Sequence, residues 1–121
     1  MSSYRAALEL HDYLAEELND TIHVSLDPVE VSSALNQGRY GLLINPPRTT
    51  HINAHNDEHE WDLYVISPTR DAVEAWPALD DVADIVAELV DATESELSRY
   101  QPPHGDTPYP CAVLSCTTTT P

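Results

Sequence analysis

The fold is decided by the stretch WDLYVISPTRDAVEAWPALDDVADIVAELVD, residues 61–91, which combines a strand, a tight turn and an amphipathic helix. Trp61, Leu63 and Val65 alternate with the residues between them, and this period of two predicts a strand with one apolar face. Pro68 ends the strand because proline has no N–H to donate to a neighbouring strand. We expect the rest of the chain to pack around this unit.

The helix predicted after this turn carries one wide apolar stripe. Ser67 or Thr69 is expected to cap it, and Asp71 and Glu74 lie near its positive end. Pro77 predicts a kink or a late start of the helix, because proline removes a backbone hydrogen bond. The residues predicted to face the core are Val73, Trp76, Leu79, Val82, Ala83, Val86, Leu89 and Val90.

Shorter elements are predicted on both sides of this unit. A first helix runs from Ser2 or Ser3 to about residue 19, and its inward stripe comprises Tyr4, Ala7, Leu8, His11, Leu14 and Leu18. Strands are predicted over residues 21–26, 39–44, 49–54, 96–100 and 111–118, whereas residues 29–37 suit either a strand or a helical turn. The expected class is α+β, a mostly antiparallel β-sheet with two main α-helices packed on one face, in a single domain over residues 1–121.

The composition disfavours two classes of partner. The 121 residues include 21 acidic residues against five lysines and arginines, for a formal net charge of −16. Binding to nucleic acid needs Lys and Arg to neutralise phosphates, and an anionic membrane repels an acidic surface. No leader of the signal-peptide type and no long apolar run is visible, so we expect a soluble, intracellular protein.

The two cysteines are expected to stay reduced. Cys111 and Cys116 are five residues apart in a predicted strand. An odd separation places two side chains on opposite faces of a strand, so these two should not form a disulfide with each other.

Three histidines, His51, His55 and His59, recur at a spacing of four residues. On a helix this spacing would place three ligands on one face, where neighbouring acidic residues could complete a site for Zn²⁺ or Mn²⁺. The segment is rich in Thr and Asn, however, which favours a hairpin with His51 opposite His59 and His55 near the tip. We interpret it as a solvent-facing or interface hairpin, expect no metal or other cofactor, and keep the three histidines as weak metal candidates.

Enzymatic motifs are not visible. The chain has three glycines and lacks a Gly-rich phosphate loop, a Ser-containing elbow and a His-Glu-x-x-His pattern, so we expect no catalytic residues. Three features point to assembly instead: the hairpin over residues 53–59, the Pro-rich loop over residues 101–110, and a Thr-rich C-terminal strand that is a candidate free edge.

The order of these elements resembles the tail terminator (tail completion) proteins of long-tailed bacteriophages. The resemblance covers nearly the whole chain. It rests on the opening amphipathic helix, the strand 40–45 followed by Pro46-Pro47, the WDLYVISP segment, the AWPALD helix at residues 75–80 and the closing YPCAVL strand at residues 109–114.

The resemblance implies a structural virion protein that assembles in the host cytoplasm. Its partners would be further copies of the chain in a hexameric ring, the tail tube protein and the head-tail connector protein, while DNA passes through the lumen without specific binding. By position, the residues expected to face a neighbour or the tube are Arg48, His51, His55, His59, Arg99 and Tyr100.

Three alternatives remain open from the sequence. The closest is a head-tail connector or head completion protein of the neck, which is also a small structural subunit. The second is a small His-rich metal-binding domain or metal-dependent enzyme that uses the histidine hairpin. The third is an acidic mimic of nucleic acid, which predicts tight, salt-sensitive binding to a basic partner.

Overall fold

The computed structural model describes residues 3–18, 21–103, 105 and 107–120, and these form three helices and six strands. In chain order the elements are α1 (Ser3–Leu18), β1 (Ile22–Ser25), α2 (Pro28–Asn36), β2 (Tyr40–Ile44), β3 (Arg48–His51), β4 (Asp57–Ile66), α3 (Ala72–Val90), β5 (Glu94–Tyr100) and β6 (Tyr109–Thr120). The α+β class is confirmed.

All six strands belong to one sheet with β4 at its centre. The order is β1-β2-β4-β6-β5, and β3 pairs with β4 off this path. Two strands share one side of β4: β3 pairs with the first four residues of β4, and β2 pairs with the last four. On the other side, β6 pairs along the whole length of β4. The pair β1–β2 is parallel and the other pairs are antiparallel. The parallel pair follows from α2, which carries the chain back to the same end of the sheet.

Helix α3 begins at Ala72, which is after the predicted caps Ser67 and Thr69 and before Pro77. The carboxylate of Asp71 caps it by accepting hydrogen bonds from the backbone N–H groups of Val73 and Glu74, both at 3.0 Å. Ser67 instead accepts a hydrogen bond from the N–H of Thr69 within the preceding turn, so the prediction that one of these two caps the helix is wrong. The helix is continuous through Pro77, and the late start is therefore not observed.

Helices α1 and α3 contribute to one hydrophobic core with the sheet, as predicted. Leu14 and Val86 are fully buried there against Leu42, Leu63 and Leu114. The predicted stripes are wrong at their beginnings: Ala6, Leu10 and Ala75 are buried, whereas Tyr4, Leu8, Val73 and Trp76 are exposed. Apolar residues occupy a wide part of both helices, so hydrophobicity alone does not select the line that contacts the sheet.

The second face of the sheet is covered by α2, the segment that the sequence left open. Asp27 caps this helix by accepting from the N–H of Val29 at 2.9 Å, and Pro28 suits its first turn. Val31 and Leu35 of α2 bury against Leu43, so β2 is buried on both faces. The helix packs closely on the sheet at Gly41: a Cβ added there would stand only 2.7 Å from Val31 Cγ1.

The two cysteines lie on opposite faces, as predicted. Cys116 belongs to the core under α1 and α3, and Cys111 to the core under α2. Both are free thiols, and burial raises the pKa of each to about 11. None of the helices in the described part of the chain is long and apolar enough to cross a membrane.

Candidate functional site

A three-stranded extension, which we call the arm, contains most of the predicted interface residues. It consists of β3, the turn over residues 52–56, residues 57–60 of β4 and residues 117–120 of β6. Strand β2 reaches only residues 63–66 of β4, and β5 reaches only Ser115 of β6. The arm is therefore a narrower continuation of the sheet, beyond the part that carries five strands.

His59 lies at the centre of the arm and is completely buried. Its Nδ1 is 2.9 Å from the hydroxyl of Thr49, and its Nε2 is 2.9 Å from the hydroxyl of Thr120. A hydroxyl can donate or accept, so either neutral tautomer of the imidazole satisfies both contacts. His59 thereby links the two outer strands of the arm through the strand between them.

A second polar contact continues this arrangement towards the core. The indole Nε1 of Trp61 donates to the hydroxyl of Thr118 at 2.8 Å, and the ring centroids of Trp61 and His59 are 5.9 Å apart. Trp61 is 1% exposed and belongs to the core under α1 and α3. Thr118 and Thr120 of the C-terminal run thus serve as hydrogen-bond partners within the protein.

The register of the hairpin differs from the prediction. His51 is opposite Asp57, and His59 is opposite Thr49. The predicted pairing of His51 with His59 is therefore wrong, as is the expectation that His59 faces solvent or a neighbouring protein. The observed register is shifted by two residues from the predicted one. The shift arises because the turn occupies residues 52–56, and Asp57 and Glu58 after it already belong to β4.

The tip of the hairpin is held by one asparagine side chain. The amide oxygen of Asn53 accepts hydrogen bonds from the backbone N–H groups of His55 and Asn56, at 2.8 and 3.0 Å. The side chain of an asparagine can in this way replace the backbone acceptor of a turn. His55 lies in this turn and is exposed, as predicted, and Ile52 beside it is 53% exposed.

The histidines of the arm do not converge on a common point. His51 pairs with Asp57 at 2.5 Å, His59 is buried between two threonines, and His55 lies at the tip. Across the described ranges there is no group of three or more His, Cys, Asp or Glu side chains placed to hold a metal ion. The arrangement therefore lacks the ligand set that a zinc or manganese site requires.

Cross-strand charge pairs cover the arm. Nε of Arg48 is 3.5 Å from a carboxylate oxygen of Glu60, and both side chains are largely exposed. The hydrogen bond from His51 holds the pKa of Asp57 below its ordinary value of 3.8. An exposed pair such as Arg48–Glu60 stabilises a protein only weakly.

The Thr-rich strand is paired on one side, with β4, along residues 117–120. Beyond Ser115, its other side has no partner strand within the described residues. The predicted free edge is therefore present as one open side at the end of β6. This open side and the hairpin tip lie on the same narrow arm.

The two candidates on β5 behave differently. Arg99 is exposed, so it is available to a partner. Tyr100 is buried and contacts Tyr64 edge-on, with ring centroids 6.2 Å apart, and burial raises its pKa. The expectation that Tyr100 faces a neighbour is therefore wrong, because its ring belongs to the core under α2.

A cavity of about 290 Å³ under α2 was not anticipated from the sequence. The guanidinium of Arg70 lies 4.7 Å from the centroid of the Tyr109 ring and donates to the Tyr109 hydroxyl at 2.9 Å. That hydroxyl donates to the amide oxygen of Asn36 at 3.2 Å. Ser32 Oγ, which also lines the cavity, is buried without a hydrogen-bond partner in the described residues. These residues come from three separate segments of the chain, so no local motif indicates the cavity.

Neither the known protein-family models nor the curated protein sequences match this chain.

Proposed function

We propose that this protein is a structural subunit of the tail terminator type. In this proposal six copies form a ring on the end of a phage tail tube, stop its polymerisation and provide the face that docks with the head. The protein then belongs to the virion and carries out no catalysis. The proposal rests on the element order that resembles that family and on one structural feature, the arm.

The arm supports the proposal because it is a narrow, hydrogen-bonded extension of the sheet that is suited to contacts between subunits. The hydrogen bonds between His59 and the hydroxyls of Thr49 and Thr120 tie its three strands together. Its tip exposes Ile52 and His55, and its outer strand has an open side along residues 117–120. An open strand edge can pair with a strand of a neighbouring protein.

The charge of the chain is consistent with a channel through which DNA passes. Six copies would carry a formal charge of −96, which is six times the −16 of one chain. Electrostatic repulsion of phosphates extends over a screening length of ~8 Å at physiological ionic strength. An acidic lumen wall would therefore prevent adhesion of DNA without closing a wider channel.

The test combines native mass spectrometry and negative-stain electron microscopy of the full chain, alone and with the tube protein of the same phage. A six-fold ring, or a cap at the ends of tubes together with shorter tubes, is the expected result. A monomer that leaves tube length unchanged would contradict the proposal. Binding to the head-tail connector protein alone, without any effect on tubes, would identify a connector instead.

A matched pair of variants tests whether the tip of the arm makes the contact with the tube. Ile52 at the tip of the arm is 53% exposed and Ile85 on α3 is 52% exposed, so an Asp at either position makes the same chemical change at equal exposure. We expect Ile52→Asp to abolish capping, because it places a charge in a contact that would exclude water. Ile85→Asp should cap tubes like the wild type. Equal activity of both variants would place the contact away from the arm.

A further inference from the structure

A groove lies between helix α3 and strand β5, at the edge of the sheet farthest from β1. We call it the α3–β5 groove. It encloses about 210 Å³, and the residues that line it include Trp76 and Leu79 of α3, Leu97 and Arg99 of β5, and Pro110 of β6. Every one of its lining residues lies in the described part of the chain.

The walls of the groove expose large apolar side chains. Trp76 is 54% exposed and Leu97 is 46% exposed, although each has one side against the protein. Leu97 is opposite Ala112 in the β5–β6 ladder, and Ala112 belongs to the core under α3. Because opposite residues of a ladder project to the same face, Leu97 lies on the side of the sheet that carries α3. Trp76 and Leu97 thus line one groove.

The backbone of β5 offers free hydrogen-bonding groups beside this groove. The carbonyl of Pro110 accepts from the N–H of Ser67 at 3.0 Å, so Pro110 directs its carbonyl away from β5. Its opposite residue, Arg99, therefore directs its N–H and C=O away from β6, as the alternation of an antiparallel ladder requires. Leu97 and Ser95 share this orientation. No strand covers that side of β5 in the described ranges.

An open strand edge beside a helix-bounded apolar groove is the arrangement that binds an extended peptide by strand addition. Main-chain hydrogen bonds supply affinity in this mode, and pockets for alternate side chains supply specificity. We propose that the α3–β5 groove binds an extended, basic segment of a partner protein, which adds as a strand to β5 and places an apolar side chain between Trp76 and Leu97.

Charge selects a basic partner over a second copy of this chain. Arg99 is the basic residue that lines the groove, and two exposed carboxylates of β5, Glu94 and Glu96, lie on the opposite face of the sheet, where every second side chain of an added strand would also lie. A second copy would bring a further formal charge of −16 to this edge. A segment that alternates Lys or Arg with apolar residues instead pairs its charges with these carboxylates. The inference does not depend on ring formation, since one protomer carries the whole groove.

The test uses an acetylated, amidated nonapeptide that alternates lysine with valine, titrated into the full chain. Trp61 is 1% exposed, so a change in tryptophan emission on binding reports the environment of Trp76. We expect saturable binding that weakens with salt, with amide NMR shifts centred on Ser95, Leu97 and Arg99. The same peptide with glutamate for lysine, or with alternate backbone amides N-methylated, should bind at least about tenfold more weakly, since each tenfold corresponds to about 1.4 kcal/mol.

Variants of the protein separate the groove from general electrostatic attraction. Trp76→Ala and Leu97→Lys should each weaken binding about tenfold or more, while Ile85→Ala, an equally exposed apolar position outside the groove, should leave it unchanged. Three results would overturn the proposal: no binding of the lysine peptide, equal binding by the Trp76→Ala variant, or concentration-dependent self-association that Leu97→Lys abolishes. The last would assign the groove to a second copy.

Discussion

Replacement of His59 by leucine tests whether the arm is held together by its buried polar centre. The substitution His59→Leu keeps a side chain of similar size but removes two hydrogen bonds of 2.9 Å, one to Thr49 and one to Thr120. A hydrogen bond within a protein contributes about 0.5–1.5 kcal/mol net, so the pair should contribute about 1–3 kcal/mol to the free energy of unfolding. Both threonines are partly exposed, so water can hydrate their hydroxyls once the imidazole is removed. The loss of unfolding free energy should therefore stay within this range of energies.

Urea unfolding followed by tryptophan fluorescence measures this loss. His55→Leu is the matched control, because His55 is exposed in the turn at the tip and should change the free energy of unfolding by less than about 0.5 kcal/mol. A double-mutant cycle isolates the contact itself. Thr49→Val should cost about 1 kcal/mol in the wild-type protein and close to nothing in the His59→Leu background.

Two outcomes would refute this reasoning. One is a His59→Leu protein as stable as the His55→Leu control. The other is a Thr49→Val cost that is the same in both backgrounds, since additivity means that the two groups do not interact. Either result would imply that backbone pairing alone holds the arm and that the polar centre serves another purpose.

Gly41→Ala should lower the free energy of unfolding by about 1–3 kcal/mol, because the new methyl group would stand 2.7 Å from Val31 Cγ1. Adding Val31→Ala should recover part of that loss, as measured by urea unfolding. Strictly additive losses of stability in the double variant would argue against the contact. The two cysteine thiols should react with iodoacetamide about a hundredfold more slowly in the native protein than in urea, since burial raises their pKa from 9.0 to about 11. Mass spectrometry measures the rates, and equal rates in both conditions would show that the thiols are accessible in the native protein. The pKa of Asp57 is lowered in the native state, so its pairing with His51 stabilises the fold above the ordinary pKa of 3.8, and this stabilisation is lost as the pH falls through the lower native value. Asp57→Asn should therefore reduce the loss of stability below about pH 4. An unchanged acid unfolding curve would contradict the pairing.

The candidate site was only partly predictable from the sequence. The hairpin, the exposed tip at His55 and the open side of the C-terminal strand follow from local residue types, which favour strands and turns. The burial of His59 and Tyr100 does not, because it depends on which strands lie beside them: Thr120 is 61 residues from His59 in the chain. Local patterns also do not place Arg70 beside Tyr109, since 39 residues separate them.

Helix and strand identity was predictable wherever a long periodic pattern was present. The period of two in β4 and the amphipathic pattern of α3 indicate their elements directly. The α2 segment is only nine residues long, and a pattern that short suits a strand as well as a helical turn. Its helical state is fixed by the cap at Asp27 and by the burial of Val31 and Leu35 on the sheet.

The sequence alone specifies an acidic α+β fold with an antiparallel hairpin, two long amphipathic helices and cysteines on opposite faces of one strand. These properties depend on charge, side-chain period and turn residues, which act over a few neighbouring positions. Three features are settled only in the folded protein: the register of the hairpin, the helix that covers the second face, and the groove between α3 and β5. Those depend on contacts between residues far apart in the chain, where burial and hydrogen-bond geometry select one arrangement among several that the same local pattern allows.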